Sequence, residues 1–323
     1  MIASGDLQIL LTGSRYARFL NCVPSGLQLP AFIATATGLK PAMDLWIAAP
    51  RLEAFRGLAA ALGLVYAVDA VFDRTDGQLD AIAPDRFTTT RASWRPVASR
   101  DGELHIFVSR TAADRDRARA SGWYPLVVNG RLLEKHPADH ARFGEALGYP
   151  PCCVGFFTER NNWLSDNTPY AAAAASAAPG AWQANGLTRH TPAGLVAHLP
   201  CSYRCPATIA DAERLWTCLR DVSVAYAEAI RELAIGYFLI VSEHQLYRLR
   251  DAQVSGEVVR YRAADAVNGA SADTRLHRLL QRGDSCRLDG PCVLVERAGR
   301  GVGGYLARGD HHGPECPVML EFS

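Results

Sequence analysis

The stretch Ala146-Leu147-Gly148-Tyr149-Pro150-Pro151-Cys152-Cys153-Val154-Gly155-Phe156-Phe157 lies near the middle of the chain and decides its architecture. Glycine tolerates the left-handed conformation that ends a helix, and proline suits a first helical turn, where its missing N–H would go unused. The stretch therefore predicts a helix over 137–147, a tight turn, and a second helix from Cys152 to Trp163. Two adjacent cysteines open that second helix. The partial positive charge and free N–H groups of a helix N-terminus favour the thiolate that metals and electrophiles require.

Downstream the chain reads His198-Leu199-Pro200-Cys201-Ser202-Tyr203-Arg204-Cys205-Pro206, with no cysteine in between. Thiols and imidazole are the ligand types of soft and borderline metals. One of Cys152 and Cys153, with His198, Cys201 and Cys205, fills a tetrahedral Cys3His set. Neighbouring residues on a helix diverge by about 100°, so Cys152 and Cys153 are not expected to share one mononuclear ion. A need for both would indicate a cluster or a redox role. The Cys-x3-Cys-Pro ending has the spacing of the last ligands in bacterial ferredoxin runs, which keeps an iron–sulfur cluster open beside zinc. Packed core thiols and a loop-capping histidine would explain any one of these residues alone. Five of them in two well-punctuated groups point to a metal.

Working outward, the N-terminal part alternates strand-like and helix-like segments. Leu7 to Leu11, Leu64 to Phe72 and Leu104 to Ser109 read as strands; Arg51 to Leu62 and Ala112 to Ala120 read as helices. Asp73 to Arg100 has no period and reads as a long connection or irregular hairpin. Ala171 to Ala175 predicts a short helix, and Ala207 to Ile235 one long helix with Ile209, Ala212, Leu215, Leu219, Val222, Tyr226 and Ile230 on a broad apolar face. Past Gly236 the period becomes two, predicting a meander over 237–241, 245–249 and 257–261, a short helix over 273–281 and strands at 292–296 and 318–322. The expected class is α+β or mixed α/β: an α/β lobe over 1–125, a helical Cys/His region over 126–235 and a β-rich lobe over 236–323.

Composition bounds the function. Lys plus Arg (34) nearly balance Asp plus Glu (33) in 323 residues, so no bulk positive field draws nucleic acid or a membrane. The N-terminus lacks the basic and apolar regions of a secretory signal, and Lys40, Pro41 and Asp44 interrupt the apolar run from Leu29 to Pro50. A cytoplasmic protein is expected. Nine cysteines are too few for a disulfide scaffold of this length, and an odd number cannot all pair within one chain. Cys22, Cys218, Cys286, Cys292 and Cys316 are expected as small buried thiols.

The leading functional expectation is a metalloenzyme acting on a small molecule, or on a modified amino acid or peptide. It needs an open coordination position, and the spare member of the Cys152 and Cys153 pair is then the catalytic thiolate. The alternatives are a noncatalytic protein with a closed structural zinc site and a partner-binding surface, and a metal-free dithiol protein.

The run from Glu134 to Phe157, through Leu147-Gly148-Tyr149-Pro150-Pro151-Cys152-Cys153, resembles the signature of a prokaryotic family known as domain of unknown function 483. That family has a Leu-Gly-Tyr-Pro-x-Cys-Cys-x2-Phe core and a later His and Cys loop. The resemblance covers residues 100–210 and implies a family-wide cysteine site, with no activity attached.

Weaker signals have simpler accounts. Gly299-Arg300-Gly301-Val302-Gly303-Gly304 follows a strand, as a dinucleotide fingerprint would, but no helix is expected after it and a flexible glycine turn is favoured. Asp310, His311, His312 and Cys316 could join Cys286 and Cys292 in a second site; a solvated loop is simpler. Asn161, Asn162, Trp163, Asp166 and Tyr170 could line a polar pocket or only cap helices.

Overall fold

The computed structural model describes residues 4–74, 94–96, 102–122, 125–128, 131–134, 139–160, 168–176, 179–242, 245–268, 271–307 and 317–323. The N-terminal part runs α1 (Ser4–Leu10), α2 (Leu29–Thr37), β1 (Ala42–Ala48), α3 (Leu52–Leu62), β2 (Val65–Arg74), β3 (Trp94–Pro96), β4 (Glu103–Ser109) and α4 (Ala112–Ser121). Its strands form an antiparallel sheet in the order β1-β4-β2-β3. The strand expected at Leu7 to Leu11 is a helix instead: Leu7 and Leu11, four residues apart, are fully buried, while Ile9 between them is 74% exposed. A strand would have put all three on one face. The first strand, β1, was hidden in the apolar run around Asp44, where Met43, Leu45 and Ile47 point inward in alternation.

A hairpin, β5 (Pro125–Val128) with β6 (Arg131–Glu134), leads to α5 (His140–Ala146), α6 (Pro151–Arg160) and α7 (Thr168–Ala174). After two 3₁₀ turns come α8 (Pro206–Val222) and α9 (Val224–Ala234). The single long helix expected here breaks at Ser223, whose extended backbone lets its hydroxyl accept the Tyr226 N–H at 3.2 Å. Serine competes with the helix for backbone donors and so starts a new one.

The C-terminal part contains β7 (Gly236–Ser242), β8 (Gln245–Arg250), β9 (Gln253–Ser255), β10 (Val258–Arg260), β11 (Ala263–Ala266), α10 (Arg275–Arg282), β12 (Ser285–Asp289), β13 (Cys292–Arg297), β14 (Arg300–Leu306) and β15 (Val318–Phe322). These strands form two antiparallel sheets, β11-β8-β7-β15 and β14-β13-β12-β10-β9. The expected glycine turn is confined to Ala298 and Gly299, which have positive φ; the rest is edge strand β14, paired with β13. The class is thus mixed α and β, with helices between an N-terminal sheet lobe and C-terminal sheets. Among the described residues no helix is long and apolar enough to cross a membrane.

Three packing relationships position the centre of the chain. One hydrophobic cluster runs from Leu7 and Phe32 through Leu45 and Ile106 to Leu215, Leu219 and Ile230, so α8 and α9 share a core with the N-terminal sheet. A smaller cluster joins Ala146 and Leu147, at the end of α5, to Ala42, Phe107 and Ala118. A third packs Tyr203 against Phe238, Leu320 and Phe322 of the C-terminal sheet. At roughly 1.5–3 kcal/mol for each large side chain fully buried, these contacts fix where both cysteine segments sit.

Candidate metal centre

The first cysteine pair is delivered by the turn between α5 and α6. Gly148, at φ 68°, accepts the left-handed conformation, and the amides of Gly148 and Tyr149 return to the carbonyls of Glu145 and Gly144, both at 2.9 Å. This is a Schellman closure. A Cβ on Gly148 would stand 2.6 Å from Pro41 Cδ, so the turn presses directly on the segment before β1. Pro150 O accepts the amides of Cys153 (2.9 Å) and Val154 (3.0 Å), which starts α6 with Cys152 and Cys153 in its first turn. Gly144 lets the two helices approach, since a Cβ there would lie 2.7 Å from Val154 Cγ2.

The second pair comes from the loop before α8. Its Tyr203 is held on three sides: its hydroxyl donates to Pro169 O (3.1 Å), its amide to Ser176 Oγ (2.7 Å), and its ring lies 5.1 Å from that of Phe322. The Cys205 amide bonds Ser202 O at 3.0 Å, and Cys205 stands immediately before Pro206, the first residue of α8.

These elements bring the sulfurs of Cys152, Cys153, Cys201 and Cys205 within 4.8 Å of one another. Cys152 lies 4.0 Å from Cys153 and 3.6 Å from Cys205, and Cys153 lies 3.7 Å from Cys205. All four are free thiols; Cys153 and Cys205 are buried, Cys201 is half-buried and Cys152 is exposed. The N-termini of α6 and α8 both approach the group, each with about half a positive charge to offer anionic sulfur.

His198, expected as a ligand, stands outside this group. Its ring lies against Tyr149, centroids 5.2 Å apart, and its Nε2 is 2.9 Å from Thr208 Oγ1. Thr208 Oγ1 in turn lies 3.3 Å from Cys153 Sγ, and the Cys201 amide donates to the same sulfur at 3.4 Å. A hydroxyl has one proton. When Thr208 gives it to sulfur, His198 must fill the hydroxyl oxygen with an Nε2–H. The Cys3His expectation thus gives way to a group of four cysteines, with the histidine two hydrogen bonds behind them through Thr208. The expected separation of Cys152 from Cys153 does not arise either, because at the start of the helix both side chains swing toward Cys205.

The electrostatics are divided. Burial pushes the Cys153 thiol far up despite the donors from Thr208 and Cys201, and burial with the neighbouring sulfurs raises Cys201 to about 11. Burial opposes ionisation of Cys205 as well, but hydrogen bonding by Thr208, Cys152 and Cys201 outweighs it and lowers that thiol to about 7. Burial, and then the nearby Lys40, lower His198 to about 3, so its imidazole is neutral at pH 7. Lys40 donates to Leu147 O (2.9 Å) with its ammonium 4.5 Å from the Tyr149 ring centroid; burial lowers it to about 8, with Asp211 opposing. Neighbouring thiols that resist ionising together are what a divalent cation relieves, since a bound metal deprotonates its thiols outright.

A cleft of about 700 Å³ lies between the α5–α6 turn and α8, lined among others by Tyr149, Pro151, Ala207, Asp211 and Arg214 and by none of the four cysteines. Of the other candidates, Cys286 lies buried in β12 with its thiol raised by burial to about 12, and Cys292 opens β13 opposite Asp289. His311, His312 and Cys316 lie outside the described residues, as do Asn161, Asn162, Trp163 and Asp166. Thr208 and Lys40 were not singled out from sequence. Thr208 carries a weak signal, a hydroxyl three residues after Cys205 at a helix start; Lys40 carries none.

No family model matches the chain, and neither a curated protein nor a solved structure is found to match it.

Proposed function

We propose that Cys152, Cys153, Cys201 and Cys205 together hold one divalent ion, zinc, as a tetrathiolate, and that this centre clamps the start of α6 to the start of α8. The single observation that carries this is the spacing of the sulfurs. A tetrahedron with metal–sulfur bonds of about 2.3 Å has edges of about 3.8 Å. Cys152, Cys153 and Cys205 are 3.6, 3.7 and 4.0 Å apart, one face of such a tetrahedron, and the Cys201 sulfur lies within 4.8 Å of all three. An iron–sulfur cubane ties its thiolates to separate irons and so holds them farther apart than ligands of one ion, which is why zinc is favoured here over a cluster.

Four thiolates leave no open coordination position, and the closed arrangement is that of structural zinc sites. Chemistry at the centre is favoured by a different observation: one of its thiols, Cys152, is exposed. In this second reading a ligand sulfur, not a metal-bound water, meets a small molecule or peptide substrate. Free thiols fit a reducing, cytoplasmic setting. Membership in the domain of unknown function 483 family is part of the same proposal and rests on the Gly148 to Phe157 motif alone.

The test is metal and acid-labile sulfide content of untagged protein purified without oxygen. One zinc per chain without sulfide is expected. Iron with sulfide would replace the tetrathiolate by a cluster; no metal, with thiols that oxidise and reduce reversibly, would leave a dithiol protein.

A further inference from the structure

The four sulfurs are not equivalent. Cys153 is 2% exposed and receives both the Thr208 hydroxyl and the Cys201 amide. Cys205, also 2% exposed, lies 3.7 Å from the Cys153 sulfur. Cys201 is half-buried. Cys152 alone is exposed, and among the described residues the sulfurs of Cys153 and Cys205 are within 4.0 Å of its own and that of Cys201 within 4.8 Å, with no N–H or hydroxyl donating to it. A hydrogen-bond donor withdraws density from a thiolate lone pair and a buried sulfur cannot be approached, so both effects quench the inner ligands and spare the outer one.

We infer that Cys152 is the nucleophile of the centre and accepts an alkyl group from a small, soft carbon electrophile that carries a good leaving group, such as a halide or a sulfonium. This rests on the tetrathiolate reading above and separates the two adjacent cysteines. In the step, a lone pair of the Cys152 thiolate forms a sulfur–carbon bond while the bond from that carbon to the leaving group breaks. The leaving group departs with the electron pair, and the thiolate becomes a neutral thioether. No proton, oxidant or further reactant takes part. The other three thiolates keep the ion, and the loss of one negative charge from the centre is the lasting change. A net-anionic centre attracts cationic electrophiles, which makes sulfonium compounds the substrate class it suits best.

The experiment treats full-length, metal-loaded protein with iodomethane and, in parallel, protein stripped by chelator, then maps methylated cysteines by peptide mass spectrometry and measures metal on the same samples. In the loaded protein one methyl at Cys152 is expected, at least about tenfold faster than at Cys153, Cys201 or Cys205, with the ion retained. In the stripped protein methylation should spread over the four. Cys152→Ser should abolish the fast uptake; because that variant could also lose the ion, the comparison of loaded with stripped wild type decides the question independently. Methylation of Cys201 in the loaded protein, or a Cys152 no faster than half-buried Cys218 and Cys292, overturns the inference while leaving the metal site intact. Absence of bound ion at the outset overturns both.

Discussion

His198 Nε2 and Thr208 Oγ1 stand 2.9 Å apart, and this bond orients the hydroxyl that reaches Cys153. Outer partners of this kind typically alter metal affinity by about 10–100-fold when removed. Thr208→Val keeps the shape and deletes the donor, so it should weaken zinc binding within that range while the far-ultraviolet spectrum stays unchanged. His198→Phe should do the same more mildly, since the hydroxyl remains but is no longer oriented. Competition with a chromophoric chelator measures both; equal affinity for Thr208→Val and wild type would remove the hydroxyl from the site's design.

Cys201→Ser and Cys205→Ser should each lower metal stoichiometry and the melting temperature together. Structural zinc can contribute roughly 10 kcal/mol or more to folding, so chelation alone should release amide protection in α6 and the first turns of α8. Hydrogen exchange with and without chelator resolves this; uniform loss across the chain would contradict a local clamp.

Gly148→Ala should destabilise the protein by about 1–3 kcal/mol, from strain at positive φ and the contact with Pro41. Because the turn aims α6, metal affinity should fall with stability. Gly256→Ala, also at positive φ but with open space around it, isolates the strain from the contact. Urea denaturation of both variants separates the two causes.

Lys40 is held below its unfolded pKa of 10.5, at about 8. Between those values the unfolded chain binds a proton that the folded one has released, so stability gained from this group rises with pH across the window. Below about 8 both states are protonated and the cost of burying the charge is present in full. Relative to Lys40→Met, the wild type should therefore gain up to about 3 kcal/mol between pH 7 and pH 10. Unfolding free energies of the pair at those two pH values test the sign; a difference that does not move with pH would place the ammonium in water.

The helix, turn and helix around Gly148 were legible because each step is local: a glycine that closes one helix, prolines that open the next, thiols in the first turn. The four cysteines were legible as a set for the same reason. The role of His198 was not, because its spacing to Cys201 does not tell which way the imidazole turns, and its direction is set by Tyr149 and Thr208. The Cα–Cβ directions of Cys152 and Cys153 diverge by about 100° along the helix, whereas rotation about the side-chain bond closes the gap between their sulfurs. Leu7 to Leu11 were read with the wrong period because five residues suit either element, and the break at Ser223 was masked by an apolar face that continues through it. Lys40 binds the carbonyl of Leu147, over a hundred residues away, a distance at which no local pattern carries information.

The end of α5 rests on Ala42, Phe107 and Ala118, and α8 is embedded with Phe32 and Ile106 in the core of the N-terminal sheet. Excising the two cysteine segments would therefore discard the surfaces that hold them apart and aim them. Unlike a finger or a ribbon that carries its own ligands on a short autonomous loop, this centre is not a portable module. It could be transplanted into another protein only together with the sheet behind it.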